Sequence, residues 1–217
     1  GTAIYNNDLP KVAIRTPGTE DQYPSVNVCG SALIQTAFEL LSDLNCRRVA
    51  VVGGNVDQRI ITRQFQEQAE RLGMDSSPYL LQSIRLSQTE WADNLMPLLF
   101  RGEDHPDGLL ILDDSLLTSV LHGLSLAGFS AGGALPVVCQ TNFPYPTTKQ
   151  ADVIRIGFDV RQMLKLSLEL LEKQRLHEDI MLGHRMPCLF EHEIPKEYEL
   201  VPGLFMRRFE SISCTTI

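Results

Sequence analysis

A chain of 217 residues, 43% hydrophobic and 21% charged, has an average soluble make-up and enough length to bury one large core or two smaller ones. Its net charge of −8 repels phosphate, so the body of the chain is a poor nucleic-acid surface. No apolar run approaches the ~20 residues needed to cross a bilayer, and no basic-then-apolar leader opens the chain.

The predicted elements begin with a short strand at Lys11-Val-Ala-Ile14, a loop rich in Pro, Gly and Asp, and a second strand, Ser25-Val-Asn-Val28. Leu33, Ile34, Ala37, Leu40, Leu41 and Leu44 then recur at helical spacing. Arg48-Val-Ala-Val-Val52 is a continuous strand pattern closed by Gly53-Gly54. The next helix carries Ile61, Phe65, Ala69 and Leu72 on one face, with Gly73 as its stop. Tyr79-Leu-Leu81 reads as strand. Ser87-Gln-Thr-Glu90 has capping-box spacing before a helix with Trp91, Leu95, Leu98 and Leu99 on one side, bent or shortened by Pro97. Gly108–Leu112 is strand, and a helix capped by Asp113, Asp114 or Ser115 runs to Gly128. Leu135–Cys139 is the next strand. After Asn142 come a Pro-rich loop, a strand at Val153–Ile156, a helix from Val160 to Leu171, and short apolar pieces in an irregular tail. Repeated βα units with uninterrupted apolar strands predict a doubly wound parallel sheet, five-stranded over residues 29–140, in an α/β fold.

Several of these segments together resemble one family. Pro24-Ser-Val-Asn-Val28, Cys46-Arg-Arg-Val-Ala-Val-Val-Gly-Gly54, Phe65 with Gly73, and Asp107-Gly-Leu-Leu-Ile-Leu-Asp-Asp114 are similar to the sensor domain of lactose/galactose-repressor (LacI-type) transcription regulators. So are Gly123–Gly128, Val153-Ile-Arg-Ile-Gly157 and Ile180 to Phe190, which extends the likeness over roughly residues 9–192. The resemblance implies a periplasmic-binding-protein-like fold, two lobes joined by crossing strands with a small molecule between them. Residues 1–28 would form a partial N-terminal lobe and crossover strand, 29–140 the C-terminal Rossmann-like lobe, 141–175 a return to the first lobe, and 176–217 a closing strand and tail. It also implies a cytoplasmic homodimer that senses an effector, uses no cofactor and touches DNA only through a head domain upstream of this chain. The alternative is a periplasmic sugar-binding protein of a transport system. Cys29, Cys46, Cys139, Cys188 and Cys214 weigh against it, being odd in number and without Cys-x-x-Cys spacing, as does the Arg-Arg-Val-Ala motif.

The resemblance also marks site positions. The family's sugar-fixing arginine falls on Ile61, with Arg59 and Arg63 two residues away, about 200° around a helix. Arg59, near the helix start, is the ligand candidate, and an ordinary solvated arginine is the alternative. Asp113 falls where a family amide contacts ligand, at a strand end where ligands collect, or it is simply an N-cap. Trp91 either stacks on a ligand or packs in the core. Two acidic family positions fall on Cys29 and Thr141, with Asn142 following. Arg59, Trp91, Asp113, Thr141 and Asn142 are thus the predicted ligand contacts, and the lost anchors point to something other than an ordinary sugar.

No catalytic pattern competes. His105, His122, His177, His184 and His192 form no HExxH or nucleophile-partner spacing, and Glu191-His-Glu193 reads as a solvated loop rather than a metal site. Gly53-Gly54 is too short to cradle phosphate, and no nucleophile elbow occurs.

Overall fold

The computed structural model describes residues 9–15, 23–54, 58–144 and 152–195. Two sheets carry the fold. The larger is built from β3 (Val49–Gly54), β4 (Leu81–Ile84), β5 (Gly108–Ile111), β6 (Val137–Phe143), β7 (Val153–Asp159) and β9 (Leu189–Phe190), in the order β4-β3-β5-β6-β7-β9. Its first five strands are parallel and β9 is antiparallel to β7. The smaller sheet joins β1 (Ala13–Arg15), β2 (Ser25–Val28) and β8 (Gly183–Met186), all parallel, with β2 central.

The uninterrupted apolar strands follow from burial on both faces. Successive residues of β3 alternate between two cores, Val49 and Val51 facing one, Ala50 and Val52 the other. The first core is covered by α1 (Gly30–Asp43) and α2 (Gln58–Arg71), which contribute Leu33, Phe38, Leu41 and Phe65. The second is covered by α3 (Trp91–Leu99) and α4 (Leu117–Leu126), through Ala92, Met96, Val120 and Leu124. Gly73 and Gly128 lie just past α2 and α4 with φ of +65° and +84°, the left-handed backbone that stops a helix without a Cβ penalty. The last helix, α5 (Val160–Arg175), packs against β1 and β2 as well as β6 and β7. Its Gln174 side chain accepts from the Lys11 N–H at 2.9 Å and donates to the Lys11 carbonyl at 2.8 Å, fastening the helix to the chain leading into β1.

The chain passes between the sheets three times: from β2 through Cys29 into α1, from β7 through Asp159 into α5, and from β8 to β9. Among the described residues no helix is long and apolar enough to cross a membrane.

Several expectations need correction. The span 29–140 holds four parallel strands, and the fifth is β7, beyond it. β7 therefore belongs to the larger sheet and not to a return into the first lobe; the return begins with α5. The register Val137↔Val153 through Phe143↔Asp159 fixes this pairing. The segment Ser87–Glu90 is no capping box: residues Leu86–Gln88 form a 3-10 turn, and Glu90 caps α3 without a side-chain bond. The stripe Trp91, Leu95, Leu98 is not the buried face of α3; Ala92 and Met96 are, because Gly123 of α4 brings the two helix backbones together there. A Cβ on Gly123 would sit 2.7 Å from the Ala92 carbonyl oxygen. β4 begins after a 3-10 turn at Pro78–Leu80, later than Tyr79 suggested. The closing strand β8, Gly183-His-Arg-Met186, is more polar than the apolar pieces on either side of it.

Candidate functional site

In the larger sheet the chain goes from β3 outward to β4, then returns to β5 on the other side of β3. The crossover connections diverge at that point, and in doubly wound sheets such a switch point, beyond the carboxyl ends of the strands (here β3 and β5), is where ligands collect. Gly54 ends β3, and Asp113 follows β5 by two residues. A Cβ on Gly54 would overlap the Leu86 side chain and approach Asp113 Oδ2 at 3.1 Å, so glycine is what lets these three elements converge.

Asp113 is an N-cap. One of its oxygens accepts from the Ser115 N–H at 3.0 Å and from the Ser115 hydroxyl, closing the 3-10 turn Asp114–Leu116. The same geometry turns the other oxygen toward Gly54, so capping and facing the carboxyl end of β3 are compatible. Asp114 accepts from the Asn142 N–H and thereby ties this turn to β6. Burial lifts the Asp114 carboxyl above its ordinary range, the Asn142 bond opposes the shift, and the neighbouring Asp113 charge adds to it.

On β6, Thr141 is buried and its hydroxyl has no oxygen or nitrogen partner among the described residues. Asn142 beside it has an exposed side chain. Cys139 and Arg155 are register partners on β6 and β7. Arg155 is only 11% exposed and lies 3.4 Å from Glu191. Burial pushes the Cys139 thiol up to about 12, Asp114 pushes the same way, and Arg155 opposes. At the end of β7, Asp159 is fully buried, caps α5 through the Arg161 N–H, and pairs with the Arg161 guanidinium at 3.0 Å.

Across the smaller sheet Arg15, Asn27 and Arg185 stand in register. The Asn27 amide donates to the Ser25 hydroxyl at 3.0 Å, and its oxygen is buried without a partner among the described residues.

Of the sequence-predicted contacts, Asp113, Thr141 and Asn142 collect at the carboxyl edge of β5 and β6. Trp91 opens α3 and is 58% exposed, which removes the core-packing alternative. Arg59 is exposed in the first turn of α2. Arg63 pairs with Glu67 at 2.7 Å on the solvated side of α2, and Ile61 is buried in the core. Sequence reasoning missed Asn27 and Arg155 and treated Asp114 only as a cap. The available signal was a polar or charged residue inside an otherwise buried strand.

The arrangement offers acceptors at Asp113 and Asp114, a buried hydroxyl and an exposed amide, which suits hydrogen bonding to a polar ligand. The Cys139 thiol, held protonated, is a poor nucleophile. His105 is packed with Phe100 and Phe129, and His122 lies 3.3 Å from Asp93 on α3, both apart from this edge. Among the described residues no group of His, Cys, Asp and Glu could hold a metal ion.

The sequence pattern of the periplasmic binding protein-like domain matches residues 38–185. The chain belongs to that family. Solved members of similar fold include a LacI-family regulatory protein from Chloroflexus aggregans, at TM-score 0.73 and 16% identity, covering 83% of this chain and 66% of that one. A LacI-type transcriptional regulator from Bacillus cereus subsp. cytotoxis matches at 0.71 and 16%, over 87% of this chain and 68% of the other. The lactose repressor bound to the anti-inducer ONPF matches at 0.69 and 14%, over 82% and 66%. The chain thus spans about two thirds of the length of these proteins, and at such identities the likeness establishes the fold. No curated protein sequence matches the chain.

Proposed function

We propose that this chain is the effector-sensing and dimerising part of a DNA-binding transcription regulator, with DNA contacted by a separate head. The observation that carries the reading is the pair of sheets joined by three crossovers, with Asp113, the buried Thr141 and the exposed Asn142 at the carboxyl edge of the larger one. The structural relatives that share this arrangement are described as transcription regulators. The acidic body supports a division of labour in which another segment meets phosphate.

On this reading a small polar molecule settles against Asp113, Thr141 and Asn142, with Trp91 and Arg59 at the rim. Any ligand that bonds both sheets better in one relative arrangement shifts the lobes toward that arrangement by its differential affinity. The shift reaches the head through the dimer. Ile61 and Cys29 supply no acceptor or donor of the kind that fixes a hexose by paired hydrogen bonds, each worth a few kcal/mol when lost. Common hexoses and pentoses therefore bind at millimolar affinity or worse.

The test is a thermal-shift screen on the full-length gene product, followed by operator binding with any hit. A metabolite other than a simple sugar should raise Tm, lose the effect in Asp113→Ala, and change DNA affinity. A hexose or pentose acting at micromolar concentration would overturn the ligand assignment, and a full-length product without a DNA-binding head would overturn the regulator assignment.

A further inference from the structure

The two sheets meet carboxyl edge to carboxyl edge. β2 and β8 send the chain out of the smaller sheet from their carboxyl ends, and β7 sends it out of the larger sheet from its own. β9 enters beside Gly157, near that same end of β7, and runs back antiparallel to it. Each sheet therefore presents the last residues of its strands to the other.

On the smaller sheet these residues are basic. Arg15, Asn27 and Arg185 are level on three adjacent strands, each within one residue of its strand's carboxyl end. Val26 and Met186 belong to the first core, so this row, one residue away from each, is on the opposite face. Arg185 is exposed. Asn27 is 3% exposed, its amide donates to Ser25, and its oxygen has no partner among the described residues.

On the larger sheet they are acidic. Val52, Ile111 and Cys139 are level on β3, β5 and β6, and all three face the second core. Two residues on, an even step that keeps the face, come Gly54, Asp113 and Thr141. Two contacts show that the level holds past the ladder. A Cβ on Gly54 would lie 3.1 Å from Asp113 Oδ2, and Asp114 accepts from the Asn142 N–H. The Thr141 hydroxyl is buried, with no oxygen or nitrogen partner among the described residues. Arg155, on the same face, lies a layer nearer the amino ends, level with Cys139, and 3.4 Å from Glu191. The first core joins the two sheets on one side, so both rows lie on the side turned away from it.

A ligand of one sign would be attracted by one row and repelled by the other, whereas a molecule of both signs suits both. The buried, unmatched atoms of Asn27 and Thr141 fall one in each row, and folding alone gives no reason for either. We propose that the small molecule of the sensing reading given above is a zwitterion, its ammonium held by Asp113 and Thr141 and its carboxylate by Arg15 and Arg185. The guanidinium groups supply forked donors that match a carboxylate, and the Thr141 oxygen accepts a further N–H of the ammonium.

The experiment screens the full-length gene product, by thermal shift and calorimetry, against ω-amino acids of two to six carbons and the twenty L-amino acids. Each is run with its counterparts lacking the carboxylate or lacking the amine, and glucose and ribose serve as neutral probes. At a tenfold excess over Kd a zwitterion should raise Tm by roughly 3 °C. It should bind at least ~10-fold more tightly than either counterpart. Asp113→Asn keeps a helix cap while removing the charge, and it should weaken binding at least ~10-fold, as should Arg185→Gln. Arg185→Glu should move the preference to the amine lacking a carboxylate, which a merely structural role would not do. No zwitterion binding below ~10 mM, or one binding equally well in all three variants, would overturn the proposal. A sugar that binds and is lost in Asp113→Asn overturns the charge assignment and leaves the sensing reading standing. A zwitterion that binds as described but leaves operator affinity unchanged supports the assignment and counts against the regulator reading. The comparison of counterparts on the native protein holds even if one substitution hinders folding.

Discussion

A close approach of two strands gives a sharp test of the larger sheet. Gly157 of β7 is the register partner of Thr141 on β6. A Cβ at Gly157 would overlap the Thr141 carbonyl oxygen and lie 2.8 Å from its carbonyl carbon and 3.0 Å from its nitrogen. All three atoms are backbone, so no side-chain rotation relieves the overlap. In Gly157→Ala the strands must separate locally by more than about 1 Å, which takes the flanking ladder bonds past hydrogen-bonding distance. Two such bonds lost, each worth ~0.5–1.5 kcal/mol net with a further penalty for groups left buried and unpaired, amount to about 3–5 kcal/mol. At ~2–4 °C per kcal/mol for a chain of this size, Tm should fall by roughly 10 °C. Scanning fluorimetry and urea titration read the loss directly. Gly30→Ala is the control: its Cβ would meet nothing within 4 Å, and Tm should hold or rise slightly. A Gly157→Ala protein that melts within ~2 °C of the native chain would refute the pairing geometry.

The Asp114 carboxyl is lifted in the folded state by burial, above its ordinary 3.8, so its contribution to stability is complete below that value and is lost as pH rises through the folded pKa. Asp114→Asn keeps an acceptor for the Asn142 N–H and should raise Tm at pH 7, with the gap closing as pH falls toward 3.8; a lower Tm at pH 7 would contradict the argument. Leu98 and Leu126 are 69% and 62% exposed on α3 and α4, and a second copy of the chain is expected to cover this apolar surface. Light scattering should give a dimer burying at least ~1,000 Å², and Leu98→Glu should weaken it at least ~10-fold. A monomer at micromolar concentration and above would count against this.

The larger sheet was legible because its strands carry a composition that only two-sided burial explains, as in Val49-Ala-Val-Val52 and Gly108-Leu-Leu-Ile111. Helix ends were legible where chemistry marks them, at Gly73 and Gly128. The face of α3 was not. Its two stripes, Trp91-Leu95-Leu98 and Ala92-Met96-Phe100, are both apolar, and the choice is made by Gly123 on another helix. β8 was expected as a closing strand from the family resemblance but not located by its own residues, because a short strand pairing through its backbone needs no apolar alternation. β7 was seen as a strand but given to the wrong sheet, since pairing partners are not written in a strand's own residues. Asp113 and Asn142, at the carboxyl edge of β5 and β6, were marked as candidates by the family resemblance. Asn27 and Arg155 become meaningful only once the register sets them beside their neighbours.

The first core draws Val26 and Met186 from the smaller sheet into one cluster with Phe38, Val51 and Phe158 from around the larger. Neither lobe keeps a private interior on that side, so they should melt as a single cooperative unit and give one calorimetric transition. A protease that nicks one crossover leaves two covalent links and a shared interior, and the fragments should stay associated until denaturant parts them. Anyone wishing to study one lobe alone must therefore redesign an interior, because no contiguous stretch of this chain contains it.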